Sequence, residues 1–420
     1  MEPPESLYLA AHTLATVVRH ERTRLVATLV RRHGFDVAEE SIDAAVEAAL
    51  RQWPAQGVPA SPRAWLLEVA RRRAVDLVRR RAMASEVHDA IRAFSAAGDL
   101  DEDCGRAPFP DDRLRLVFTC CHPAIARETQ VALALRWLSG LSTEDVARAF
   151  CVPVPTMAQR LTRAKSKIEA ARIPYEVPER AELPARLGAV LEVVYAIFNE
   201  GYIATTGAAL QRVDLADEAV RLSELVVALL PEHSDARAMQ SLLTLIHARR
   251  AARCTADGDL VPLEDQDRSL WDAEAITRGR AMLTRALSLG PPGAYAIEAA
   301  IQAVHDEAVR FAATDFPQIV ALYGLLRART GAPIVALNEA VARAMVDGPE
   351  AALAAVDAID RGGTLGGHHA VPAARADLLR RLGRTDASRE AYDAAIRATR
   401  NDVERRFLAR RRAALPTGPG

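Results

Sequence analysis

Apolar residues recur along this chain at intervals of three and four, and hardly anywhere at two, so the pattern predicts helix nearly throughout. Leu14, Val17, Val18, Leu25 and Leu29 form one stripe, which Gly34 closes as a C-terminal cap. Ser41 to Gln52 predicts a second helix, and WPAQGVPASP, from Trp53 to Pro62, predicts a loop with three prolines and a glycine. A third helix is expected from Arg63 to Arg81. The periodicity fades between Ser85 and Pro110, where AAGDLDEDCGRAPFP is acidic and broken by glycine and proline. It returns from Asp111 to Ala171, and IPYEVPERAELP ends that stretch. The fold class is therefore all-α, in several bodies. Helices at 1–84 precede an acidic linker at 85–110, helices at 111–175, and two further helical bodies at 185–290 and 291–415.

The last body carries a faint repeat. GPEAALAAVDAI starts at Gly348 and GRTDASREAYDAAI at Gly383, thirty-five residues later, each a glycine, a polar turn and an amphipathic helix. That spacing is close to the tetratricopeptide period, and Tyr392 and Ala395 fit the second helix of such a unit. Ser388 departs from it, standing where alanine is usual. Two unrelated helical hairpins give a similar pattern.

The most informative segment is LSTEDVARAFCVPVPTMAQRLTRAKSKIEAA. Ser142 is a candidate N-cap with Asp145 as its capping-box partner, CVPV reads as a turn, and Pro155 suits the first position of a second helix. In that second helix Met157, Leu161, Ala164 and Ile168 fall on one stripe, and Thr156, Gln159, Arg160, Arg163 and Lys167 fall opposite. Gln159 and Arg160 suit bidentate contacts to base edges, and Arg163, Lys165 and Lys167 suit phosphates. The sorted faces favour a DNA-binding helix-turn-helix over a solvated basic helix in an ordinary bundle.

Charge sharpens this picture through its placement, since the net charge is only −1. Arg63 to Arg81 holds seven arginines against Glu68 and Asp76, and Asp99, Asp101, Glu102 and Asp103 gather acid in the linker. Five cysteines, with no C-x-x-C spacing, suit a reduced cytosolic protein. The opening MEPPESLYLA shows neither a basic leader nor an apolar run, and no stretch is apolar enough to span a membrane. A cytoplasmic location is expected. Adjacent Cys120 and Cys121 beside His122 lack the spaced pair that a zinc site needs, and His368 and His369 lack a nucleotide-loop context. No metal, cofactor or catalytic constellation is expected; Gly201, after an apolar helix, reads as its C-cap, and Asn199 and Glu200 before it have no assigned role.

DDRLRLVFTCCHPAIARETQVALALRWLSGLSTEDVARAF resembles the fourth conserved region of extracytoplasmic-function sigma factors of bacterial RNA polymerase. Its DDRLRL and TCCHP phrases resemble the subgroup whose members carry a C-terminal extension with tetratricopeptide-like repeats. RAWLLEVARRRAVDLVRRR is similar to the family's second region. The resemblance implies binding to core RNA polymerase and to promoter DNA, with no enzymatic activity of its own. The helix-turn-helix would read the −35 element. The second region would read the −10 element, with the Trp53–Pro62 loop holding a base of the opened strand and Trp65, Arg71, Arg72, Arg73, Arg79 and Arg80 supporting that strand. Asp43 and Glu47 would contact core polymerase. The chain departs from the family in having Asp43 and Ala44 where a Gln-Glu pair is usual, and Arg72 where an asparagine is common. The extension would offer a concave face to a regulatory protein, or an internal docking face. Two readings compete with this one. A helix-turn-helix regulator with a helical-repeat sensor domain needs only one basic module, and an enzyme would have to rest on Asn199 and Glu200 alone.

Overall fold

A computed structural model describes residues 5–84, 111–138, 140–150, 152–179, 181–205 and 207–416. Among these residues the protein is all-helical, with no strand and two isolated bridges. Two compact units divide the chain, Met1–Val193 and Val194–Gly420. The expected acidic linker lies outside the described residues, as does the side chain of Arg81.

In the first unit, α1 (Glu5–Gln56) is broken at Gly34, whose φ of 74° and ψ of 171° are not helical. The stripe before the break ends where the sequence placed its cap. After it the helix resumes at once, ahead of the expected start at Ser41, because Phe35, Val37 and Ala38 are buried and belong to the core. It also runs on through Pro54 to Gln56, so the proline-rich loop shrinks to the few residues around Gly57, whose N–H donates to the Trp53 carbonyl. α2 (Pro62–Ala84) packs along α1 through Leu66, Ala70 and Ala74, one apolar residue per turn. Then come α3 (Asp111–Cys120), α4 (Arg127–Trp137), α5 (Thr143–Ala149) and α6 (Val154–Ala170). The boundary between the units falls inside α7 (Leu183–Tyr202).

The second unit continues with α8 (Val213–Leu229), α9 (Ser234–Ala248), α10 (Ala273–Ser288), α11 (Ala294–Glu307), α12 (Phe316–Thr330) and α13 (Pro333–Arg343). It closes with α14 (Pro349–Arg361), α15 (Ala370–Arg381), α16 (Thr385–Ala398) and α17 (Asp402–Ala413). From α8 onward each helix packs on the next, and α9, with Met239, Leu242, Leu243 and Leu245 buried, also meets α11. Gly201 is not the helix cap suggested by the sequence. It lies within α7, and a Cβ there would sit 2.4 Å from the Ala216 backbone nitrogen, so its task is to let α8 approach. Glu200 accepts from the Thr205 N–H and hydroxyl just beyond the helix end, a local fastening of the chain.

The two glycines of the faint repeat share one geometry. Gly348 and Gly383 both take left-handed φ, 88° and 69°, just ahead of α14 and α16. Leu353 and Val356 are buried at positions that match buried Ser388 and Ala391 thirty-five residues on. Ser388 keeps its place in the core by donating to the Ala376 carbonyl at 2.8 Å, so the polar residue costs no unpaired hydroxyl.

Two polar features hold the second unit together. The first is Asn401, which is buried, caps α17 through its side-chain oxygen, and donates from Nδ2 to the carbonyls of Ala204 (2.8 Å) and Ala209 (3.0 Å). It thereby ties the last helix to the segment between α7 and α8. Arg406 and Arg410 on Asp259, and Arg411 on Glu264, reinforce α17 against the loop that follows α9. The second feature is a buried charge cluster. Arg249 lies 3.6 Å from Asp306 and, with Arg268, over the face of Trp271. Burial pushes the Asp306 carboxyl up to about 6 against the pull of Arg249, Arg268 and Arg280. Burial, with Arg249 and Arg268, holds the neighbouring His305 imidazole down to about 4.

Asn401→Ala should destabilise the protein by about 2–4 kcal/mol, from the lost cap and two buried carbonyls left unpaired. Chemical denaturation of wild type and variant checks this, and a loss within error of zero counts against the tie. The charge cluster yields a second expectation. The folded chain holds the Asp306 proton more tightly than the unfolded chain, so this residue's contribution grows as pH falls from about 6 to 4. The folded chain binds the His305 proton more weakly, so that contribution is lost as pH falls from 6.5 to about 4. Relative to wild type, His305→Gln should therefore gain stability on acidification from pH 7 to 5, and Asp306→Asn should lose it. Denaturation midpoints at the two pH values test the opposite signs, and shifts in the same direction refute the assignment.

Candidate nucleic-acid interface

α5 and α6 pack on α4, which follows the turn through Cys120, Cys121 and His122. Cys120 and Cys121 are buried free thiols at the end of α3, and burial pushes the Cys121 thiol up to about 12 against nearby Arg127 and Arg186. His122 accepts from the Ala124 N–H, and Gln130 donates to the carbonyls of His122 and Ile125, both at 3.0 Å, which fixes the turn into α4. Arg186 of α7 donates to the Phe118 carbonyl at 2.7 Å and braces α3 from outside. Among the described residues no group of three or more His, Cys, Asp or Glu is placed to hold a metal ion.

α5 begins with the expected capping box. Ser142 Oγ accepts from the Asp145 N–H at 3.0 Å, and the Asp145 carboxylate accepts from the Ser142 N–H at 3.3 Å. Val146 and Ala147 are its buried residues. α6 starts at Val154, so Pro155 falls within its first turn, where a missing N–H breaks no helical hydrogen bond. Met157, Leu161, Ala164 and Ile168 are buried as one stripe. Thr156, Gln159, Arg163 and Lys167 are exposed, and Arg160 is half-buried with a loose ion pair to Glu128 at 3.7 Å.

Lys165 behaves differently from its neighbours. Its ammonium is paired with Asp36 and with Glu39 (3.3 Å), both on the stretch of α1 just after the Gly34 break. Burial opposes its charge, but the hydrogen bond to Asp36 and the charges of both acids hold the ammonium above its ordinary value. Glu39 also takes Arg136 of α4 at 2.7 Å, and Phe35 stacks on Trp137 with ring centroids 3.9 Å apart. None of these long-range pairs was visible in the sequence. Asp36, Glu39 and Asp43 do fall on one helical face, which was the only available signal.

The residues assigned to the second basic module gather on α1 and α2. Trp65 is half-buried and meets buried Trp53 edge-on at 5.5 Å, beside the short loop around Gly57. Arg72, Arg73, Arg79 and Arg80 are exposed and Arg71 is half-buried, while Arg72 pairs with Glu68 at 2.8 Å. Asp43 pairs with Arg22 at 3.1 Å, and Glu47 lies 3.9 Å from Arg51. Asp36, Glu39, Glu40, Asp43, Ala44 and Glu47 line one shallow acidic groove.

Residues 186–287 match a family of unknown function (DUF6596). A protein of Rhizobium meliloti (strain 1021), named Uncharacterized protein R00370, is 40% identical over 395 residues, covering 92% of this chain and 92% of that protein. No solved structure matches the chain. Among the described residues no helix is long and apolar enough to cross a membrane.

The capping box gives a direct check on how α5 is held. Ser142→Ala removes the side-chain acceptor for the Asp145 N–H and should cost about 1 kcal/mol of stability. Ser142→Asp, which restores an acceptor, should recover most of it. Equal denaturation midpoints for wild type and Ser142→Ala would show that the cap contributes nothing.

Proposed function

This chain belongs to the same family as the Rhizobium meliloti protein, and we propose that it is an RNA polymerase sigma factor of the extracytoplasmic-function kind. The observation that carries this reading is the sorting of α6 behind a capped α5. One face is packed on its own module, and the other presents Thr156, Gln159, Arg163 and Lys167 to solvent, with Arg160 at its edge. A helix of this kind enters a major groove with its N-terminal side chains at base edges and its later cations at phosphates. A simple repressor needs only that. The second basic helix, α2, with an aromatic pair at its start and exposed arginines along its length, supports a protein that also handles an opened strand.

On this reading α5 and α6 take the −35 element, and α2 with the loop around Gly57 takes the −10 element. The acidic groove on α1, with Asp43 and Glu47, faces core polymerase. The helices after α7 form the tetratricopeptide-like extension, for which the matched geometry of Gly348 and Gly383 is the support. They offer a face for a regulatory protein. Work with polymerase on chromosomal promoters places the protein in the cytoplasm.

The experiment is run-off transcription with purified protein and core polymerase on genomic promoter fragments. Promoter-dependent transcripts are expected only when both are present, and their absence across the fragment set refutes the reading. On a promoter so found, Arg160→Ala should cost about 1–3 kcal/mol at one base pair and relax selectivity there. Lys167→Ala should weaken binding evenly across sequences and lower the salt slope by about one unit. Identical base-substitution profiles for wild type and Arg160→Ala would remove Arg160 from the base-reading set.

A further inference from the structure

Three arginines of α17 are paired to a single loop, the one between α9 and α10. Arg406 takes Asp259 at 3.3 Å, Arg410 takes the same carboxylate, and Arg411 takes Glu264 at 2.8 Å with Asp265 at 3.8 Å. Arg381, at the end of α15, stands 3.9 Å from Glu264. Phe407 and Ala414 share that face of α17, at steps of three and four from Arg410 and Arg411. The Arg411 guanidinium lies over the Phe407 ring at 5.4 Å. The face is a basic rim around an apolar floor.

The segment seated on it is DLVPLED, Asp259 to Asp265, with acids at both ends and apolar residues between. Its backbone hydrogen bonds run inside the loop: the Thr255 N–H donates to the Asp259 carbonyl and the Val261 N–H to the Arg253 carbonyl, both at 2.9 Å. α17 is reached through side chains. The carboxylates can therefore leave the arginines while that hairpin stays folded, and exposed pairs of this kind hold weakly. The apolar part fits loosely. Leu260, Val261 and Pro262 are only half-buried, and between them and the α17 face runs an open groove of about 370 Å³. Arg381 also donates to the Met345 sulfur at 3.3 Å, and there Met345 and Val346 stand exposed at the end of the same surface.

We propose that this face of α15 and α17 is a docking site for an extended acidic segment of a partner protein, apolar at its centre, and that Asp259–Asp265 occupies it in the free chain. The loop itself displays the chemistry the face accepts: carboxylates at the rim and aliphatic side chains over Phe407. Phosphates would satisfy the arginines, but a duplex brings no aliphatic side chain to the groove between them. A partner segment that fills the groove and reaches Met345 gains contacts that the chain's own segment lacks. That surplus displaces a tethered competitor whose effective concentration is on the order of millimolar. The site serves in this way whether or not the first unit reads promoters.

The probe is a fluorescently labelled synthetic peptide of residues 258–266, titrated against the full chain by anisotropy. In Asp259→Asn/Glu264→Gln/Asp265→Asn the arginines lose their tethered partners, and the peptide should bind at least about tenfold tighter than to wild type. Adding Arg410→Gln and Arg411→Gln to that variant should abolish the gain. A peptide carrying Leu260→Ser, Val261→Ser and Leu263→Ser should lose it too, since nothing apolar then enters the groove. If the triple variant fails to fold, Glu264→Gln alone, which breaks one exposed pairing, should still tighten binding about threefold. No gain in a variant that keeps the wild-type helical content overturns the proposal. Equal binding of the serine peptide overturns it as well. Displacement of the probe by an oligonucleotide of equal charge, as effectively as by unlabelled peptide, gives the face to nucleic acid instead. A wild-type dimer in light scattering that the peptide dissociates gives the place to a second copy, and the partner segment falls.

Discussion

Glu39 accepts two cations from two different helices, Lys165 of α6 and Arg136 of α4, within a few residues of the point where α1 breaks. The first unit depends on that convergence. Helices satisfy their own backbone, so their mutual placement is left to side chains, and apolar stripes alone allow neighbouring helices to slide or rotate. Charge pairs with little exposure add direction, because each fixes one atom against another. Here they set the register of the helix-turn-helix on α1, with Phe35 on Trp137 supplying apolar contact beside them. The same seam that gives the unit its order also restricts it, since helices held this way cannot turn independently of α1.

The second unit uses the same logic with different groups. Asn401 is neutral and stands at the head of the last helix, yet its side chain serves four backbone partners: the N–H groups of Val403 and Glu404 in its own helix, and the carbonyls of Ala204 and Ala209. A long run of sequentially packed helices has only neighbour contacts to hold it unless its end is fastened. The arginines of α17 on Asp259 and Glu264 add to that fastening, though exposed pairs of this kind contribute little singly.

Much of the architecture was legible in the chain because amphipathic helices declare themselves. The stripe of α6, the capping box at Ser142, the break at Gly34 and the paired glycines at Gly348 and Gly383 all follow from local pattern. What escaped was of two kinds. Phe35, Val37 and Ala38 stand among Asp36, Glu39 and Glu40, so the apolar pattern places the helix start at Ser41, whereas their burial moves it to the residue after Gly34. Pairs such as Lys165 with Glu39, or Asn401 with Ala204, join residues more than a hundred positions apart, and no periodicity encodes them. Lys165 was grouped with its basic neighbours on α6, and only its acidic partners set it apart. Gly201 was read as a cap because glycine after an apolar helix usually is one, whereas the close approach of Ala216 is a tertiary fact.

The buried thiols at the end of α3 have a consequence for the chemistry of the whole protein. A thiol held near 12 is ionised at neutral pH to only about one part in 10⁵, and the thiolate is the form that oxidants and electrophiles attack. Cys121 is therefore inert for as long as α3 and α4 stay closed over it. Burial raises the neighbouring Cys120 thiol in the same direction. Any rate at which this pair takes up an alkylating reagent measures how often the first unit breathes, so the protein carries an internal clock for its own opening, set beneath the helices that would read a promoter.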